Sequence, residues 1–137
     1  MVTGEAVYTA NVTVTGGREG HAQSDDGALN IDLQRPGGQK NATNPEQLFA
    51  AGYAACFQSA MAGIGRQQGI DTSNSTVHSA VSLIKDGHAY KLGVDLKIII
   101  PGVEKAAAEA LVEQAHQVCP YSNATRGNID VNLEIVD

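Results

Sequence analysis

Apolar and polar residues alternate along three short stretches near the start of the chain. Tyr8, Ala10, Val12 and Val14 are separated by polar residues, the period-two pattern of a half-buried strand. Gly16-Gly17-Arg18-Glu19-Gly20 predicts a turn, and a short second strand is expected over His21 to Ser24. Leu29, Ile31 and Leu33, alternating with Asn30, Asp32 and Gln34, mark a third strand. Arg35-Pro36-Gly37-Gly38-Gln39-Lys40 reads as a loop. A helix follows with clear start signals: Asn44 can cap it, Pro45 suits its first position, and Gln47 stands where a capping-box partner stands. It should run to about Gln67, with Gly69 ending it. Phe49, Ala50, Ala51, Tyr53, Ala54, Ala55, Phe57, Ala60 and Met61 fall on every side of this helix, which predicts burial all round.

Two longer strands come next. Val77, Val81 and Leu83 mark one, with Ser79 on the same face. Tyr90, Leu92, Val94, Leu96, Ile98 and Ile100 mark the other with a strict period of two, and Asp86-Gly87 between them is a hairpin signal. A second helix is expected over Val103 to Val118, with Val103, Ala107, Leu111, Ala115 and Val118 on one stripe and Pro120 stopping it. Ile129, Val131, Leu133 and Ile135 give a last strand. The order β-β-β-α-β-β-α-β is an α+β architecture, and 137 residues without internal repeats fit a single domain, residues 1–137.

Composition changes this picture at one point. Aromatic residues make up only 4% of the chain and Trp is absent, so few large side chains are left to build a core, and few elements to cover the central helix. Pairing that helix with its copy across a two-fold axis meets both needs, which predicts a homodimer. A net charge of −6 gives no basic footprint for nucleic acid, and the scattered Lys and Arg give no patch for an anionic membrane. Met1-Val2-Thr3-Gly4-Glu5 lacks a basic region followed by an apolar run, so no signal peptide is expected. The run from Phe49 to Gly65 contains Gln58 and Ser59, too short and too weakly apolar for a membrane span. The expected location is the cytoplasm.

In a reducing cytosol two cysteines are rarely a structural staple. Cys56, mid-helix among alanines, reads by residue type as a buried core thiol. A reactive Cys56 needs a cation nearby, because burial raises a thiol's pKa and the helix dipole fades beyond the first turn. Cys119 sits just past a helix C-terminus, where the dipole disfavours a thiolate, so of the two it is the poorer attacker and the more natural resolver. Two inert thiols or a merely stabilising disulfide remain open readings. His116-x-x-Cys119 is a fragment of a zinc site without a Cys-x-x-Cys companion, and His21, His78 and His88 lack ligand spacing, so no metal or other cofactor is expected. His116 is also a candidate base for a Cys–His hydrolase dyad, or a helix residue suited to the C-terminal turn. Arg18, Arg35, Arg66 and Arg126 are the candidate cations, and Arg66 lies about 15 Å along the helix from Cys56.

Two long segments carry a family resemblance. Thr43 to Phe57, reading TNPEQLFAAGYAACF, resembles the cysteine helix of the organic hydroperoxide resistance proteins, and Val118 to Asn128, VCPYSNATRGN, resembles their second cysteine segment. Thr15 to Gly20 resembles their arginine turn. The first segment is partly shared with the sister OsmC type, whereas the run from Pro120 to Asn128 favours the hydroperoxide branch. The resemblance implies a thiol peroxidase in which Cys56 attacks an organic hydroperoxide and Cys119 resolves the sulfenic acid as an intramolecular disulfide. It implies that Arg18 favours the Cys56 thiolate and orients the peroxide, and that Glu46 holds Arg18. It implies the OsmC-like fold, antiparallel sheets wrapped around central helices in an intertwined homodimer, and a dithiol reductant such as a lipoylated protein. The loop from Arg35 to Ala42 is a few residues shorter than usual for that family. Glu46 precedes Cys56 by ten residues on one helix, about 15 Å, too far to share a site within one chain. Antiparallel pairing of two helices would instead bring Glu46 of one chain, and Arg18 with it, to the partner's Cys56. The apolar helix also points to alkyl or lipid hydroperoxides over hydrogen peroxide. The alternatives are a hydrogen-peroxide-preferring peroxidase of the OsmC type, a hydrolase using Cys56 with His116, and a non-catalytic thiol-bearing binding protein.

Overall fold

The computed structural model describes residues 4–38 and 41–136. Met1, Val2 and Thr3 of the expected leaderless start, and Gln39 and Lys40 of the predicted loop, lie outside the described residues. The chain divides into two compact units, one up to Pro45 and one from Glu46 onward.

In the first unit β1 (Val12–Thr15), β2 (His21–Ser24) and β3 (Asn30–Asp32) form an antiparallel sheet in sequence order. The strand expected from Tyr8 begins only at Val12. The register closes at Val12 opposite Ser24, with one further bond from Asp25 N–H to Asn11 O at 3.0 Å, and Tyr8 is 79% exposed. Alternation is therefore necessary for this strand but not sufficient, because the partner strand is only four residues long. Leu33, expected in β3, is buried just past its end, where it forms an isolated parallel bridge with Thr43. Arg18 sits in a 3-10 turn, Gly17–Glu19, between β1 and β2. Glycine is required on both sides of it. Gly16 has φ of 78°, and a Cβ at Gly20 would lie 1.6 Å from the Thr15 carbonyl oxygen. Across β2 and β3, His21 Nδ1 lies 2.7 Å from Asp32 Oδ1 and Nε2 lies 2.5 Å from Asn30 Oδ1; the Asp32 hydrogen bond, with that of Asn30, raises the imidazole pKa.

The second unit is built on α1 (Pro45–Gln68), with Pro45 at its first position as the sequence predicts. β4 (Thr76–Asp86) and β5 (Ala89–Ile99) form a hairpin closed by Gly87-His88, one residue later than the Asp86-Gly87 reading. α2 (Lys105–Val118) and a short α3 (Pro120–Thr125) then lead to β6 (Val131–Ile135). β6 pairs with β5 in parallel, Leu96 opposite Leu133, so the sheet order is β4-β5-β6 and the sheet is mixed rather than wholly antiparallel. The two intervening helices supply the crossover that a parallel neighbour needs.

The core of this unit joins Tyr53, Phe57 and Met61 of α1 to Val94, Leu96 and Ile98 of β5, and to Ala108, Leu111, Val112 and Ala115 of α2. Burying one of the larger of these side chains contributes roughly 1.5–3 kcal/mol. One expectation changes here, and another is left to a second copy. On α2 the buried stripe includes Ala108 and Val112, while Val118 is 55% exposed, because α2 begins at Lys105 and turns a slightly different face inward. On α1 one row is buried, Tyr53, Phe57, Met61 and Gly65, whereas Ala51, Ala55 and Ser59 are exposed. A single chain covers one side of α1, not all of them. Among the described residues α1 is the one helix long and apolar enough to cross a membrane, a property it shares with core helices of soluble proteins.

Candidate active site

Cys56 lies in the middle of α1, three residues after Tyr53 on the inward-facing side, and is half-buried. Cys119 is fully buried at the junction of two helices: it is the C-cap of α2 and the N-cap of α3. Its N–H donates to Ala115 O and its carbonyl accepts from Asn123 N–H, both at 2.9 Å, so neither main-chain group is free to drift. Both cysteines are free thiols, and Cys119 lies near enough to Cys56 to influence its titration. The Cys56 thiol is pushed above its ordinary pKa chiefly by burial. The Tyr121 main chain works the other way, and the neighbouring Cys119 thiol adds to the rise. This part of the structure thus brings the two cysteines near each other but holds Cys56 as a thiol; a thiolate needs a cation in addition.

The segment after Cys119 is where sequence reading fell short. Pro120 does stop α2, and it also starts α3, standing at a first position as Pro45 does in α1. Tyr121 lies against α1: its ring centroid is 5.7 Å from that of Phe49 and 5.6 Å from that of Tyr53. The contact exists because Gly52 has no side chain; a Cβ there would stand 2.3 Å from the Tyr121 hydroxyl oxygen. Beneath it, Tyr53 Oη lies 2.8 Å from Ser122 Oγ and 3.2 Å from Thr125 Oγ1, and His116 Nδ1 lies 2.8 Å from Ser122 Oγ. His116 titrates below its ordinary value, first through burial and then through Arg126. Arg126 in turn donates to His116 O and, at 2.7 Å, to Asn123 Oδ1. Tyr53, Ser122 and Thr125 lie inside the two cysteine segments, but nothing in those segments marks them as a hydrogen-bonded group. The only hint is the Ser122-x-x-Thr125 spacing after a helix-starting proline.

Of the other residues singled out in the sequence, Glu46 is half-buried in the first turn of α1, where the dipole favours a carboxylate. Arg18 is exposed in the turn of the first unit. Arg66 lines an open groove of about 610 Å³ with Ser59, Ala60, Gly63, Ile64, Gln67 and Val118, which begins one turn beyond Cys56. No group of three or more His, Cys, Asp or Glu side chains among the described residues is placed to hold a metal ion.

Comparison with known proteins shows the family of the chain. Residues 37–134 match the family model described as OsmC-like protein. The organic hydroperoxide resistance protein OhrB of Bacillus subtilis is 47% identical over 95% of this chain and 98% of its own length. The organic hydroperoxide resistance protein of Xanthomonas axonopodis pv. citri is 48% identical over 96% of each chain. A crystal structure of an organic hydroperoxide resistance protein from Legionella pneumophila superposes with a TM-score of 0.90 at 49% identity, covering 97% of this chain and all of the other. With the two cysteine segments inside a match that runs nearly end to end, the chain belongs to the organic hydroperoxide resistance proteins of the OsmC-like family.

Proposed function

We propose that the protein is a thiol-dependent peroxidase that reduces organic hydroperoxides to alcohols. The observation that carries the reading is the Cys56–Cys119 pair: a half-buried thiol on α1 and a fully buried one at the α2–α3 junction, near enough for Cys119 to influence the titration of Cys56. Cys56 thiolate attacks one peroxide oxygen; the O–O bond breaks, the alkoxide leaves and takes a proton from solvent to become the alcohol, and Cys56 becomes a sulfenic acid. Cys119 then attacks the Cys56 sulfur, the S–O bond breaks, and hydroxide leaves as water with the Cys119 proton. The resulting disulfide is reopened by exchange with an external dithiol, a lipoyl group in this reading. Arg18 supplies the positive charge that Cys56 lacks in its own surroundings and steadies the developing alkoxide, and Glu46 holds Arg18. The whole chain, residues 1–137, works as one domain, in the cytoplasm, as a homodimer. The open row Ala51, Ala55 and Ser59 on α1 and the exposed Leu83, Ile84 and Tyr90 on the hairpin support pairing with a second copy. The apolar residues of α1 around Cys56 favour organic hydroperoxides over hydrogen peroxide. The named relatives favour this reading over a Cys56–His116 hydrolase.

Mutating each cysteine separates the roles. Cys56→Ser should abolish consumption of cumene hydroperoxide. Cys119→Ser should consume about one equivalent and stop, or over-oxidise, for want of a resolving partner. Sustained turnover at the wild-type rate in either variant would refute the reading.

A further inference from the structure

We propose that the Tyr53–Ser122–His116 hydrogen-bond chain positions Cys119 for closure of the Cys56–Cys119 disulfide. The inference rests on the peroxidase reading and assigns the resolving step three residues that are not themselves oxidised.

The polarity of the chain follows from counting protons. Thr125 Oγ1 donates to Ser122 O at 3.2 Å, which uses its only proton. Tyr53 must then donate to Thr125 Oγ1, so its oxygen accepts from the Ser122 hydroxyl. With that proton used, Ser122 Oγ accepts from His116, whose proton sits on Nδ1. Reversing the direction loses one of these bonds. Each hydroxyl donates once, and the chain ends on a main-chain carbonyl.

Its location gives it a role. Tyr53 precedes Cys56 by three residues on α1, and Ser122 follows Cys119 by three residues at the start of α3. Hydroxyl pair and thiol pair therefore link the same two elements, one turn apart. Tyr53 and Ser122 are both fully buried, so loss of either hydroxyl leaves the other without its partner and away from water. His116 and Arg126 extend the link to the end of α2, since Arg126 donates to His116 O while its own N–H donates to Ser122 O at 2.9 Å. Cys119 is thus fixed from both of its helices. Disulfide closure requires a sulfur–sulfur distance near about 2.05 Å with a restricted dihedral, and small misplacement of a reacting group costs rate steeply. A second peroxide molecule competes for the same Cys56 sulfenic acid and carries it to the sulfinic state. Holding Cys119 in place decides that competition.

The test compares full-length wild type, Tyr53→Phe, Ser122→Ala, His116→Leu and His116→Asn. Each is reduced, treated with excess cumene hydroperoxide and read by intact mass. The ratio of sulfinic acid (gain of two oxygens) to disulfide (loss of two hydrogens) is independent of how fast the first oxidation occurs. Tyr53→Phe and Ser122→Ala should raise that ratio by at least about fivefold, the scale of one hydrogen bond. His116→Leu should raise it too. His116→Asn, which keeps a donor near the Nδ1 position, should restore the wild-type ratio. Because His116 is only partly buried, its two variants keep the test open even if the fully buried ones fail to fold. Wild-type ratios in Tyr53→Phe and His116→Leu would overturn the positioning role while leaving the peroxidase intact. Wild type that forms no Cys56–Cys119 disulfide would instead overturn the peroxidase reading, and this inference with it.

Discussion

At the scale of single residues the chemistry turns on how Cys56 loses its proton. Burial raises its pKa and the Tyr121 main chain only partly offsets this, so within its own surroundings Cys56 is a thiol at neutral pH. A raised thiol pKa means that thiolate, and nucleophilic rate, appear only as pH rises. The Arg18 guanidinium, in its proposed role, moves that rise to lower pH. Arg18→Ala should therefore move the pH profile of Cys56 alkylation by iodoacetamide upward, past the ordinary thiol value of about 8.5. Each pH unit of that movement removes roughly tenfold of the thiolate present at neutral pH. The fully buried Cys119 will contribute little to that signal. Superimposable wild-type and Arg18→Ala profiles would remove Arg18 from the site. The cysteines stand out in the sequence because each lies in a long specific segment, whereas Arg18 is proposed from the short Thr15 to Gly20 turn by resemblance alone. The hydroxyl chain does not stand out. Tyr53 sits inside an apolar run, and its partner Ser122 lies 69 positions away, so no spacing links them.

Among the elements, the parts that repeat locally were the legible ones. α1 begins at its proline, and β5 keeps its strict period through Val94, Leu96 and Ile98. What periodicity does not encode is pairing partners. It could not reveal that β6 lies parallel to β5, that β1 starts only where β2 can meet it, or that Pro120 opens a helix as well as closing one. The docking of α3 on α1 depends on a missing side chain at Gly52, which composition alone reads as a generic small residue. Gly52→Ala tests that contact. Alanine gains about 1 kcal/mol of helix propensity over glycine, but its Cβ would overlap the Tyr121 phenol, and overpacking costs about 1–3 kcal/mol. Tyr121 cannot swing away freely, because Phe49 and Tyr53 flank its ring. The expected outcome is a lower denaturation midpoint. A higher midpoint would mean that Tyr121 moves aside at no cost.

For the whole molecule, the open row on α1 is the face that the expected all-round burial leaves to a second copy, and it supplies the strongest argument for one. If the active site is shared, with Arg18 of one subunit serving the partner's Cys56, mixed dimers of Arg18→Ala and Cys56→Ser chains should regain one functional site. Verified heterodimers that stay inactive would show that each chain supplies its own pair. The claim beneath all of this is that a hydroperoxide drives the two thiols into one disulfide. Reduced protein mixed with one equivalent of cumene hydroperoxide, then digested without reductant and analysed by mass spectrometry, measures it directly. The account predicts loss of two hydrogens and a single linked peptide joining Cys56 to Cys119. Unconsumed peroxide with both thiols still alkylatable would contradict it.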